Sequence, residues 1–199
     1  VSYYSSIQKA LDAMKTSDSV INLLKDTDES ITIKSNTTVS LNLNSNIFNN
    51  TTENIAITNK GTLDILDGKI TSLKTLIINT NNADINLFNV ELDSLGENEV
   101  GIISESLAKV GLYKSTITGK SMLINMSDEL EIINSTLTTT NGPAIKMGVS
   151  SSGDISSSTI SVANGYGINT FANSKLEITD SSVTSTTGTA INNEGTINI

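Results

Sequence analysis

Residues 77–92, IINTNNADINLFNVEL, and residues 102–117, IISESLAKVGLYKSTI, carry one pattern twice: an apolar residue, a second eight positions on, a third at ten and a fourth at fifteen. The same unit recurs seven times along the chain, starting at Ile33, Ile55, Ile77, Ile102, Met122, Ile145 and Ile168. At +8 stand Leu41, Leu63, Ile85, Val110, Leu130, Gly153 and Leu176; at +10 stand Leu43, Ile65, Leu87, Leu112, Ile132, Ile155 and Ile178. At +15 follow Phe48, Ile70, Leu92, Ile117, Leu137, Ile160 and Val183, so that 27 of 28 positions are apolar and only Gly153 departs. Alternate residues of a strand share one face, so the +8 and +10 pair marks a strand and not a helix. Starts separated by 20 to 25 residues suit one coil of a solenoid and are too close for a propeller blade. Leucine-rich repeats share the period but need a consensus Asn or Cys and more Leu. The expected fold class is therefore all-β: a single-stranded, right-handed parallel β-helix, its coils stacked at about 4.8 Å.

Spacing also places the corners and ends. All the variation in coil length is expected between +15 and the next start, where small residues such as Gly142, Gly165, Gly167 and Gly188 permit a tight bend. A second corner is expected at Asp67, Asn89, Asn134 and Asp180, whose short side chains close turns on their own backbone. From Tyr4 to Met14, the apolar residues Tyr4, Ile7, Leu11 and Met14 have helical spacing, with Ser5 and Ser6 as N-cap oxygens. This helix and a strand from Val20 to Leu24 are expected to cap the first coil. The organisation read from the sequence is thus residues 1–27 as cap and lead-in strand and residues 28–199 as about seven to eight coils of one structural domain. The pattern restarts at Ile191 and stops within a coil, which reads as a piece of a longer protein.

Composition narrows the chemistry. The 199 residues include no His, Cys or Trp, and all twelve cations are Lys. A net charge of −9 and a pI near 4.4 argue against nucleic acid and anionic membrane surfaces, which need clustered cations. No apolar run approaches the roughly 18 residues of a membrane span, and Val1 does not open a signal-peptide pattern. Ser, Thr and Asn make up roughly two-fifths of the chain, a bias of disordered segments that the repeat overrules.

The stretch SIQKALDAMKTSDSVINLLKDTDESITI (residues 6–33), followed by SLNLN and GTLDILDGKIT, resembles the opening of β-helix domains in surface proteins of low-GC Firmicutes, within the pectate-lyase-like superfamily. The resemblance spans the whole chain as a fold pattern, and its opening alone is motif-like. It implies a secreted adhesin or wall-anchored protein, a phage spike, or a polysaccharide lyase or hydrolase. Enzymes of this kind combine acidic calcium ligands with an Arg or Lys base, or set several Asp beside His and a cation; this chain has neither Arg nor His.

Three surface features offer candidate sites. The outward position between +8 and +10 forms a column Asn42, Asp64, Asn86, Gly111, Glu131, Asp154, Glu177, whose last three carboxylates suit a cation or a raised acid, or else a solvated face relieved by Lys175. The loop Asp93 to Val100 gathers Asp93, Glu97 and Glu99 with Glu91 before it, but lacks the ligand spacing of known calcium loops. Around +15, Thr116 and Thr118, Thr136 and Thr138, Thr159 and Ser161, and Ser182 and Thr184 build a hydroxyl ladder, a regular surface or simply good strand residues. In each case the plain structural reading is preferred. No catalytic, cofactor-binding or metal residues are assigned, no cofactor is expected, and ligand-binding residues stay unassigned. The expected function is a noncatalytic, extracellular or cell-wall-associated adhesin-like or scaffold module that meets a host glycan or protein, with no nucleic acid and no membrane insertion. The alternative is a polysaccharide lyase or glycoside hydrolase using carboxylates, with or without calcium.

Overall fold

The computed structural model describes residues 2–14 and 18–199; Val1 and residues 15–17, part of the expected cap region, lie outside the described residues. The chain is an all-β parallel solenoid of about eight turns, and every strand pairing is parallel. One eight-stranded sheet, the back sheet, takes a short strand from each coil: Ile31–Ile33, Ile55–Asn59, Thr75–Asn79, Ile102–Ser104, Ile124–Met126, Ile145–Met147, Ile168–Thr170 and Ile191–Asn193. The second sheet folds around a corner into two faces. Its front face holds Thr38–Asn42, Lys109–Tyr113, Glu129–Ile133, Ser152–Ser156 and Lys175–Thr179. Its side face holds Ile47–Asn50, Thr116–Gly119, Thr136–Asn141, Thr159–Asn164 and Ser182–Ser185. The long strands Thr62–Ser72 and Asp84–Ser94 run through both faces.

Inside, the apolar columns form one continuous core from Ile7 to Ile178. Its register differs from the spacing in three coils. The back-sheet column runs Ile31, Ile57, Ile77, Ile102, Ile124, Ile145, Ile168, Ile191, so Ile33, Ile55 and Met122 are not its members. In the first front-face strand, Val39 and Leu41 occupy the places read for Leu41 and Leu43. Each slip is two residues, and a period of two leaves the same side facing inward. Ile33, Leu41 and Leu43 are therefore still buried, while Ile55 and Met122 are half-buried. Both corners next to the back sheet vary in length, in contrast to the single variable loop expected. From back sheet to front face, coils two and five turn within Asn59–Gly61 and Met126–Asp128, two residues shorter than their neighbours.

Between front and side faces the corner is uniform in coils two to seven. Asp67, Asn89, Asn134 and Asp180 have φ of 52°, 54°, 51° and 49°, as their turn-forming side chains suggested, and Lys114 and Ser157 adopt the same left-handed conformation. A serine follows it in four coils and bonds vertically. The backbone N–H of Ser115 donates to Ser135 Oγ at 3.1 Å, that of Ser135 to Ser158 Oγ at 3.0 Å, and that of Ser158 to Ser181 Oγ at 3.0 Å. Each of the three acceptor hydroxyls donates in turn to the carbonyl two residues before it. The first coil breaks this rule with a longer corner through Asn44 and Ser45, both at positive φ. Gly68 accommodates it, since a Cβ there would meet Leu43 Cβ at 2.4 Å and Asn46 O at 2.8 Å.

The expected helical cap exists, shorter than read: Ile7–Asp12, with Ser6 as N-cap accepting from the Lys9 N–H. Ile7 and Leu11 seal the first coil, and Tyr4 lies outside the helix and exposed. Glu29 accepts from the N–H groups of Ile7 and Gln8 at 3.0 and 3.1 Å, a negative charge where the helix dipole favours it. Gln8 Oε1 accepts from the Thr32 N–H at 2.8 Å, closing the edge of the back sheet. The lead-in strand is Asp18–Asn22 and not Val20 to Leu24; it already stacks in parallel on Thr38–Asn42, and Val20 and Leu24 are exposed.

Candidate functional site

The front face carries three outward columns per coil. The middle one runs Ser40, Asp64, Asn86, Gly111, Glu131, Asp154, Glu177. It is the column expected from the repeat, with Ser40 in place of Asn42, which the two-residue slip moves beside Leu66. Glu131, Asp154 and Glu177 do stand in register on consecutive coils. Lys175 is one column away, opposite Ser152 and Thr196. Asn86 Nδ2 donates to Asp64 Oδ1 at 2.9 Å, and in the first outward column Lys109 pairs with Glu129 at 2.8 Å. Beneath that pair, burial holds the Asp84 carboxyl above its ordinary range, and Lys109 opposes the effect.

The third column, missed in the sequence, is apolar for four coils: Leu66, Phe88, Tyr113 and Ile133, preceded by Asn42 and followed by Ser156 and Thr179. All four are half-buried, and they make the longest outward apolar run among the described residues. Their signal was present, because each is the residue directly after the +10 core position. Phe88 and Tyr113 stack with ring centroids 4.8 Å apart and planes at 10°, one strand spacing along the axis. Gly111 makes room for the phenol: a Cβ there would lie 2.7 Å from Tyr113 Cε2 and 2.5 Å from Asn86 Oδ1. The Tyr113 hydroxyl donates to Glu131 Oε2 at 2.5 Å, tying the apolar stripe to the acidic column. Desolvation first, and then this carboxylate, pushes the phenol pKa up to about 12.

The acidic loop is dispersed. Asp93 belongs to the strand Asp84–Ser94, where it pairs with Lys69 and accepts from the Thr118 hydroxyl. Glu91 also pairs with Lys69, at 2.6 Å, while Glu97 takes Lys120 at 2.6 Å and Glu99 takes Lys74 at 3.6 Å. Hydrogen bonds to Asp93 and Glu91 raise the Lys69 pKa. Among the described residues no three carboxylates converge as metal ligands. The hydroxyl ladder is in register, Thr116, Thr136, Thr159, Ser182 beside Thr118, Thr138, Ser161, Thr184, outward on the side face.

The fold and this surface define a class, a parallel β-solenoid with a mixed apolar and acidic stripe on one face. Comparison of the chain with protein families, curated proteins and solved structures finds no match, so no family is assigned. No helix among the described residues is long and apolar enough to cross a membrane.

Proposed function

We propose that this chain is a noncatalytic adhesin-like or scaffold module of a bacterial surface protein, placed outside the cell, that meets a host glycan or protein through its front face. The observation that carries the reading is the stripe Leu66, Phe88, Tyr113, Ile133 beside Asp64, Glu131, Asp154 and Glu177. Rigid aromatic and aliphatic side chains next to polar groups are the composition of recognition surfaces. Surface display rests on the resemblance of residues 6–33 to Firmicute surface β-helices.

The test is binding of the chain to a panel of immobilised matrix proteins and mucin glycans. Saturable binding to at least one is expected, lost on Phe88→Ser with Ile133→Ser and kept on the side-face control Thr138→Ala. Binding to none, or binding indifferent to the front-face pair, would contradict the reading. The in-register carboxylates keep a second reading in view, polysaccharide cleavage. Turnover of pectin, alginate or glycosaminoglycan that disappears in Asp154→Asn or Glu131→Gln would establish it.

A further inference from the structure

We infer that the shortened corner of coil two forms a saccharide subsite, a notch on the ridge between back sheet and front face. It deepens the module reading by naming a ligand class, and rests on that reading. Coils one and three turn this corner through Asn36 and Asn82, at φ of 59° and 62°, whereas coil two turns within Asn59–Gly61. Two missing residues leave coil two recessed between projecting neighbours. The result is an open notch of about 510 Å3, lined among others by Asn36, Asn81, Asn82, Lys60, Thr38 and Thr62.

Its chemistry suits a neutral polyol. Amides and hydroxyls offer donors and acceptors together, which a ring of sugar hydroxyls needs in alternation. Lys60 is the one cation among the residues that line the notch, which Asp18 also lines, so no cluster of cations is there to select phosphate. Other asparagine side chains of the solenoid are tied to the fold: Asn59 and Asn79 bond each other inside, Asn46 holds three carbonyls, and Asn141 and Asn164 bond across coils. Among the described residues, the side chains of Asn36, Asn81, Asn82, Thr38 and Thr62 form no such bonds, and all five residues line the cleft. The corners that carry Asn36 and Asn82 are fixed by the sheets on either side, so little order is lost on binding. Gly61 lets the corner of coil one pack closely on coil two, since a Cβ there would meet Thr37 O at 2.4 Å and Lys34 O at 2.6 Å. Without an aromatic ring in the notch, the affinity expected is in the millimolar range.

The same shortening recurs in coil five, but its neighbours present exposed Leu107 and Val149, which makes that corner an internal control. The experiment is an amide NMR titration of the isotopically labelled chain with glucose, galactose and N-acetylglucosamine, each to millimolar concentrations, and with inorganic phosphate. At least one sugar is expected to shift Asn36, Gly61 and Asn82 saturably, with the Leu107 and Val149 corner silent. Asn36→Gly with Asn82→Gly, which keeps both left-handed turns, should weaken that sugar about tenfold, the scale of two lost neutral hydrogen bonds. No saturable shift at the notch with any of the three sugars, or phosphate acting as well as they do, overturns the inference; so does an undiminished response in the double variant. If the notch fails while the front face still binds its partner, the subsite falls and the module reading stands.

Discussion

Single side chains decide how well each coil locks to the next, and two serines show it from opposite sides. Ser135 Oγ accepts from the Ser115 N–H and donates to Ile133 O. Ser135→Ala would leave a buried N–H unpaired and cost about 1–3 kcal/mol. Ser94 is equally buried, but its hydroxyl is the one buried side-chain oxygen without a partner among the described residues. Ser94→Ala is therefore expected to be neutral or stabilising by about 1 kcal/mol. Urea melts of the two variants check the contrast. Tyr113 tests the coupling of stripe and acidic column. Its folded pKa near 12 exceeds the ordinary 10.0, so the neutral phenol is favoured by folding. That stability is complete below pH 10 and is lost as the pH rises through about 12. Phenolate absorbance of the parent minus that of Tyr113→Phe should show the late titration, and Glu131→Gln should bring it down. An unmoved midpoint would mean that the hydrogen bond to Glu131 does not form.

At the scale of the element, the strands were legible in the sequence and the corners only partly so. Alternation fixes which side of a strand faces the core, and it is indifferent to a slip of two. That is why Ile33 and Leu43 are correctly inward yet in the wrong column, and why Asn42 was placed where Ser40 stands. The left-handed corner was visible wherever Asn or Asp marks it, and invisible at Lys114 and Ser157, whose side chains give no such sign. Asn134→Gly should leave stability nearly unchanged, because glycine adopts the φ of 51° freely. Asn134→Val should cost about 1–2 kcal/mol, because the branched side chain resists a positive φ. Equal melting temperatures for the two would contradict the corner geometry. Of the site, the carboxylate column came from the repeat itself. In the acidic loop, read as plain, neighbours in sequence turn to different lysines in space, a pairing that spacing along the chain does not show.

For the whole molecule, stability is a sum of coil and interface terms, and the helix over the first coil closes one end of the stack. Ile132→Ala in the middle is expected to cost about 2–5 kcal/mol by cavity formation, and Ile33→Ala near the end less, as read from denaturant melts. The front-face stripe, the notch and the ladders all depend on one claim, that the coils stack in parallel with the register set by these unequal corners. The chain has no cysteine of its own, so paired cysteines can read that register directly. Directly paired residues of parallel strands lie about 4.8 Å apart, within disulfide reach, whereas an offset of two places them about 8 Å apart and out of reach. Ser40→Cys with Asp64→Cys is therefore predicted to oxidise to an intramolecular disulfide in the folded chain, and Asn42→Cys with Asp64→Cys to remain reduced. The reverse result, cross-linking of positions 42 and 64 with 40 and 64 left reduced, would contradict the register on which the surface is built.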